Sequence, residues 1–287
     1  MLTWPSLLPR LSERKSGSGI GRRQKKQQQS NRENQGSRIM DYYEVKAMSA
    51  SAIKRGAVSM EDMLHYTNNP PKPTPAMRTG TLRHMAVLEP ERFLKLKQHS
   101  CSSVRTKEYK ALAEEYGADN LIKVDEHLEQ CKAAGKVLSH SQLGNALDGE
   151  AEAEYYWEHE SHPCKAKLDI SGNGHITEFK TTADLSTFAA TSARMYYHLQ
   201  LGWYAHAYRQ ARGDLPDVTV VAQMANAPYS VMVLTVAQHQ LEGWYQAALA
   251  IAERWWSGER GERYPERVAF ELPSWAGHSG DIAAVIV

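Results

Sequence analysis

Three stretches in the second half of the chain, Ala151–Trp157, Cys164–Ile170 and His175–Lys180, alternate with a period of two. Alternation of this kind is the signature of strands. The last two are joined by Ser171, Gly172, Asn173 and Gly174, residue types that permit the positive φ of a tight hairpin. Phe188–Arg212 and Gln238–Trp256 carry apolar residues at helical spacing, and Val218–Met224 and Ser230–Thr235 read as two more strands. The first half of the chain is different. From Met48 it reads as helix, with Ser59 as a capping residue ahead of Asp62, Met63 and Leu64. The proline-rich stretch from Asn68 to Pro75 must be an extended loop. A further helix is expected from Met77 to Leu88, ending near Pro90, and two more within 103–148, broken near Gly117. The order predicts an α/β fold behind a helical N-terminal lead-in.

Charge and composition refine this picture. Residues 1–40 carry nine Lys/Arg and two Asp/Glu, leaving 25 and 31 in residues 41–287, so the globular part is acidic while the whole chain is +1. Affinity for phosphate would then rest on local basic groups and a metal ion, not on bulk attraction. Residues 1–40 run through Ser-Gly repeats, basic pairs and a Gln run, a composition that cannot bury enough apolar surface to fold alone. We expect a basic tail over 1–40 and one domain over 41–287. A DNA-binding arm, a transit peptide and translation from Met40 all remain open for the tail. No apolar run approaches the length of a membrane helix. Three scattered cysteines, Cys101, Cys131 and Cys164, argue against a disulfide framework and fit a reducing cytoplasm.

Chemistry concentrates on the hairpin. Regular alternation puts Cys164, Ala166, Leu168 and Ile170 on one face of their strand and Lys165, Lys167 and Asp169 on the other. On its partner, Ile176, Glu178 and Lys180 share a face, with Thr177 and Phe179 turned away. If the Asp169 and Glu178 faces coincide, two carboxylates and an ammonium converge, as metal-assisted phosphodiester hydrolysis requires. Mg²⁺ prefers oxygen ligands, and the lysine could orient the attacking water or offset charge on the phosphate. A solvated hairpin would show the same Asp-x₈-Glu-x-Lys spacing. Three neighbours favour chemistry: Glu152 on the preceding strand, His84 on an early helix, and Gln200 with Tyr204 one helical turn apart. The aromatics Tyr196, Tyr197, Trp203, Tyr208, Trp255 and Trp256 read mainly as core or subunit interface, although stacking on bases is open to them.

Together these blocks resemble the RecE-type exonucleases (exonuclease VIII) of the PD-(D/E)XK superfamily. The matching blocks are Gly80-Thr-Leu-Arg-His84, Val87-Leu-Glu-Pro-Glu-Arg-Phe93, Glu152, Cys164-Lys-Ala-Lys-Leu-Asp169, Glu178-Phe-Lys-Thr-Thr182, Gln200-x-x-x-Tyr204 and Leu272-Pro-Ser-Trp-Ala276. The resemblance spans roughly residues 42–276. It implies a restriction-endonuclease-like core, a mixed central sheet flanked by helices. It implies Asp169 and Glu178 as metal ligands, Lys180 as the catalytic lysine and Glu152 as an accessory acid. His84 would be a helix-borne ligand or organiser, and Gln200 and Tyr204 would steady the site and contact DNA. Glu178 stands where many relatives have Asp, and Lys167 and Leu168 replace the more usual Arg and Pro.

The activity implied is a Mg²⁺-dependent deoxyribonuclease, with Mn²⁺ able to substitute. It would degrade double-stranded DNA from its ends, 5′ to 3′, leaving 3′ single strands for recombination in a bacterial or phage-infected cytoplasm. A homo-oligomeric ring and a single-strand annealing protein as partner are implied as well. Iron–sulfur relatives with the same Gln-x-x-x-Tyr element need four cysteines, which this chain lacks. A silent DNA-binding or assembly module on the same fold and another PD-(D/E)XK repair nuclease are the alternatives.

Overall fold

The computed structural model describes residues 41–72 and 74–261. The basic tail over 1–40 and the Leu272-Pro-Ser-Trp-Ala276 block lie outside the described residues. In chain order the elements are α1 (Ala50–Gly56), α2 (Met60–Asn68), α3 (Pro75–Leu88), α4 (Pro90–Leu94), β1 (Lys97–His99), α5 (Lys107–Tyr116), β2 (Leu121–Lys123), α6 (Val124–Leu138), β3 (Glu150–His159), β4 (His162–Ser171), β5 (His175–Thr182), α7 (Phe188–Arg194), α8 (Tyr197–Arg212), β6 (Asp217–Met224), β7 (Val231–Val236) and α9 (Gln238–Trp256).

Local chemistry accounts for most boundaries. Ser49, Ser59, Thr74 and Thr106 each accept a hydrogen bond from a first-turn amide, capping α1, α2, α3 and α5. Pro75 opens α3 two residues ahead of the expected start, because proline fits the first helical position, where its missing N–H costs nothing. Gly117, at φ 81°, ends α5 as expected. Between α5 and α6 the short strand β2 pairs in parallel with β1; neither is long enough to leave an alternating pattern. The helix expected over 188–212 is two helices. The ladder breaks at Tyr196, held at φ 55°, with no Gly or Pro to announce it.

The sheet has the order β3-β4-β5-β6-β7, antiparallel except for the parallel β5–β6 pair. It is therefore mixed and flanked by helices, as the α/β reading with a restriction-endonuclease-like core requires. Its faces bury two separate cores. One joins Leu168, Ile176, Val218, Val220 and Ala222 to α1, α2, α8 and α9. The other joins Ile170, Phe179 and Val221 to α3, α4 and α6. Trp203, fully buried, fixes α8 to β4 by donating from its indole to the Lys165 carbonyl at 3.1 Å. At Gly202 the two helices α8 and α9 touch so closely that a Cβ would stand 2.5 Å from the Tyr245 amide nitrogen.

The β4–β5 hairpin departs from the regular pattern. Only Ile170–Thr177 and Ser171–Ile176 pair across it, after which the strands part. Tyr208 of α8 clamps the turn, accepting from the Gly174 amide at 2.8 Å and donating to the Gly172 carbonyl at 3.1 Å. Alternation along β4 also breaks: Leu168 packs in one core and Ile170 in the other, where regular alternation would put both on one face. The break falls on Asp169. Opposite it in the β3–β4 ladder, Glu152 is held at φ 53°, while Ala151 and Ala153 keep their pairing with Ile170 and Leu168. A left-handed residue inside a strand is costly, and such strain gathers where a site needs an irregular backbone.

Candidate metal and phosphodiester site

The fork between β4 and β5 is where the polar groups collect. Asp169, at the root of the fork, replaces the lost strand ladder with its side chain: Oδ2 accepts from the Phe179 amide at 2.7 Å. Its other oxygen, Oδ1, lies 3.6 Å from His84 Nδ1, which α3 brings from the second core. The His84 ring meets the edge of Phe179 at 5.0 Å, so the helix is seated by the residue whose amide holds the aspartate. Glu152 of β3 completes the group. One ligand atom from each of His84, Glu152 and Asp169 lies within 4.8 Å of the others. Glu152 also pairs with Lys167 at 2.9 Å.

Glu178 and Lys180 lie on the other side of the fork, on the β5 face that carries Ile176. Lys180 Nζ donates to Glu178 Oε1, and so does Gln200 Nε2, at 2.7 Å. Gln200 Nε2 also lies 3.0 Å from the Tyr204 hydroxyl. The helical spacing that placed Gln200 and Tyr204 on one face is thus used, and the face is turned to Glu178. Glu178 Oε2 is buried and has no hydrogen-bond partner among the described residues. A buried carboxylate oxygen without a donor is costly unless a cation or a proton meets it.

Electrostatics ties the two sides together. Burial, and then the charge of Asp169, pushes Glu178 up to about 7 despite Lys180 and His84. Burial would raise Asp169 as well, but His84, Lys180 and the Phe179 amide hold it below the ordinary carboxylate value. Burial opposes charge on Lys180 and His84, and the neighbouring carboxylates more than offset it in both, so each is raised. Burial lifts the Tyr204 phenol well above its usual value. Two carboxylates in one partly closed site, one of them driven toward its neutral form, are the electrostatic condition that a divalent cation relieves.

The residues fit such an ion. Two carboxylates and one imidazole within ligand range form the donor set of a hard or borderline divalent metal. Of the three residues expected as ligands, His84 and Asp169 stand in the close group together with Glu152, while Glu178 is engaged by Lys180 and Gln200. One polar residue of the site left no trace in the sequence. Lys54 of α1, half-buried, donates to Gln200 Oε1 at 2.8 Å. Burial and the like charge of Lys180 bring its amine down to about 8. It is 146 residues from Gln200 in the chain, and only the packing of α1 on α8 brings them together. Trp203 and Tyr208 are core residues, as read from sequence.

Comparison with known proteins agrees with this architecture. A model of a PDDEXK-like domain of unknown function (DUF3799) matches residues 49–269. A crystal structure from Eubacterium rectale, of a protein provisionally described as an exonuclease, superposes with a TM-score of 0.55. It is 14% identical and covers 85% of this chain and 100% of its own. The structure of SSO0001 covers 72% of this chain and 88% of its own at 13% identity, with a TM-score of 0.27. No curated protein matches the sequence at a significant level. Among the described residues, no helix is long and apolar enough to cross a membrane.

Proposed function

The chain belongs to the family of PDDEXK-like domains of unknown function (DUF3799), and we propose that it is a divalent-metal-dependent deoxyribonuclease acting on the ends of double-stranded DNA. The observation that carries this reading is the fork: His84, Glu152 and Asp169 within ligand range, beside a Lys180–Glu178 pair that leaves one carboxylate oxygen unpartnered. Asp169, His84 and Glu152 would hold Mg²⁺ or Mn²⁺, with the open oxygen of Glu178 turned to the same charge. When bound, such an ion supplies Lewis acidity toward a phosphate oxygen and lowers the pKa of a coordinated water. Lys180 has three N–H donors, of which Glu178 takes one. The others are free to hold the attacking water or a non-bridging phosphate oxygen, stabilising charge as it develops. Gln200 and Tyr204 keep Glu178 in place and present polar groups beside it.

The finer reading is an exonuclease of the RecE type, degrading 5′ to 3′ and leaving 3′ single strands for recombination. It rests on the ordered sequence blocks around His84, Asp169, Glu178 and Gln200. A homo-oligomeric ring and a single-strand annealing partner follow from the same likeness, with 41–287 as the nuclease domain and 1–40 as its tail. The test is digestion of end-labelled linear duplex and of a closed circle, with Mg²⁺, Mn²⁺ or EDTA. We expect metal-dependent loss of the linear substrate, with 5′-terminal nucleotides released first and the circle spared. Duplex binding without cleavage in either metal would replace this reading with that of a silent binding module.

A further inference from the structure

The polar chain that ends on Glu178 runs in one direction. Lys54 Nζ donates to Gln200 Oε1 at 2.8 Å, and Gln200 Nε2 donates to Glu178 Oε1 at 2.7 Å. An ammonium can donate but not accept, so an amide beside it must turn its oxygen that way and its NH₂ the other. Gln200 is buried, at 6% exposure, and a flip would set its oxygen against the Glu178 carboxylate and its NH₂ against the ammonium. With Lys180 donating to the same Oε1, both donors converge on one oxygen of Glu178, and Oε2 is the one left unpartnered. The choice of free oxygen is thus made at both ends by donor-only groups. Lys54 and Lys180 also flank one ring, lying 5.4 and 5.1 Å from the centre of Tyr197, so neither amine is loosely placed.

We propose that Lys54 is a positioning residue of this site: through Gln200 it fixes the rotation of the Glu178 carboxylate, so that Oε2 is the oxygen offered to the metal. Its catalytic consequence rests on the nuclease reading above; the positioning itself does not. Lys54 touches neither ion nor phosphate in this role. It joins the lead-in helix α1 to the catalytic strand, which gives α1 a reason to be part of the domain beyond its buried Ile53.

Lys54→Met keeps the aliphatic length and removes the donor. We expect the Gln200 side-chain amide protons to exchange at least about tenfold faster. We expect Mn²⁺ affinity to fall about 10- to 100-fold, the range found when groups supporting a metal ligand are removed. Affinity is read from loss of the free-ion paramagnetic resonance signal, and the same weakening should appear in the Mn²⁺ concentration that half-saturates cleavage. Gln200→Ala should reproduce the Mn²⁺ defect, the double variant should be no worse than Gln200→Ala alone, and Lys54→Arg should restore part of the affinity. A Lys54 effect that adds fully to that of Gln200→Ala would overturn the proposal, since the amine would then act directly. So would unchanged amide exchange in a folded Lys54→Met protein. If the parent binds Mn²⁺ yet cuts no duplex, the nuclease reading fails, while affinity and amide exchange still decide the role of Lys54.

Discussion

Asp169 does two jobs, and two substitutions separate them. Its carboxylate is a ligand candidate through Oδ1, and its Oδ2 replaces a missing strand hydrogen bond at the Phe179 amide. Asp169→Ala removes both. The buried amide loses a charged acceptor, which costs about 1.5–3 kcal/mol, and β5 loses its tie to β4 just where the ladder ends. Two charge effects act in opposite directions: His84 and Lys180 lose a partner, whereas Glu178 is relieved of a like charge. Asp169→Asn keeps a neutral oxygen for Phe179, so it should cost about 1 kcal/mol less than Ala while removing the ligand charge. Urea unfolding without metal should rank the proteins parent, Asn, Ala. Cleavage of linear duplex in Mg²⁺ should fall at least about 100-fold in both variants, equivalent to about 2.7 kcal/mol in the barrier. An Asn variant that cuts within a few-fold of the parent would refute the ligand role. Equal stability of Asn and Ala would refute the structural one.

Other consequences follow from single residues. Lys180→Met should leave a folded protein whose duplex cleavage falls at least about 100-fold, seen in the end-labelled assay; near-parental turnover would remove Lys180 from the chemistry. Gly202→Val should drive α8 from α9, since even a Cβ meets the Tyr245 backbone, and cost about 1–3 kcal/mol in urea unfolding; an unchanged midpoint would contradict the close approach. His206 stacks on Tyr245 at 3.6 Å, and burial, then Arg209, brings it down to about 4 from 6.5. The unfolded chain therefore takes up this proton first as pH falls. The stability His206 contributes is present above pH 6.5 and is lost toward pH 4, by about 2 kcal/mol after allowing for solvent screening. His206→Gln should flatten that slope in urea unfolding between pH 7 and 4, and an identical slope would refute the assignment.

The strands and the turn could be read from the chain because alternation and Gly-rich punctuation are local properties. Ile176, Glu178 and Lys180 share a face because β5 is regular, and Gln200 and Tyr204 because a helix repeats every 3.6 residues. What alternation could not show is where regularity stops. Leu168 and Ile170 are both apolar in either register, so nothing in the sequence reports that Asp169 sits at a break with Glu152 strained opposite it. The break matters because Asp169 and Glu178 project from different strands of a fork, not from one flat sheet. Lys54 was hidden for another reason. A lysine after Ile53 on a short helix looks like any exposed charge, and its meaning arises only from a partner 146 residues away. The interruption at Tyr196 was likewise invisible, since a left-handed Tyr carries none of the composition by which breaks are recognised.

The proposed chemistry requires one divalent cation in the fork between β4 and β5. Anomalous diffraction from a crystal soaked in Mn²⁺ tests it most directly. The expected result is a manganese peak at coordination distance from an Asp169 oxygen, with His84 or Glu152 completing the protein ligands and Glu178 Oε2 facing the ion. A fully occupied manganese site elsewhere in the domain, with the fork empty at saturating Mn²⁺, would contradict the account.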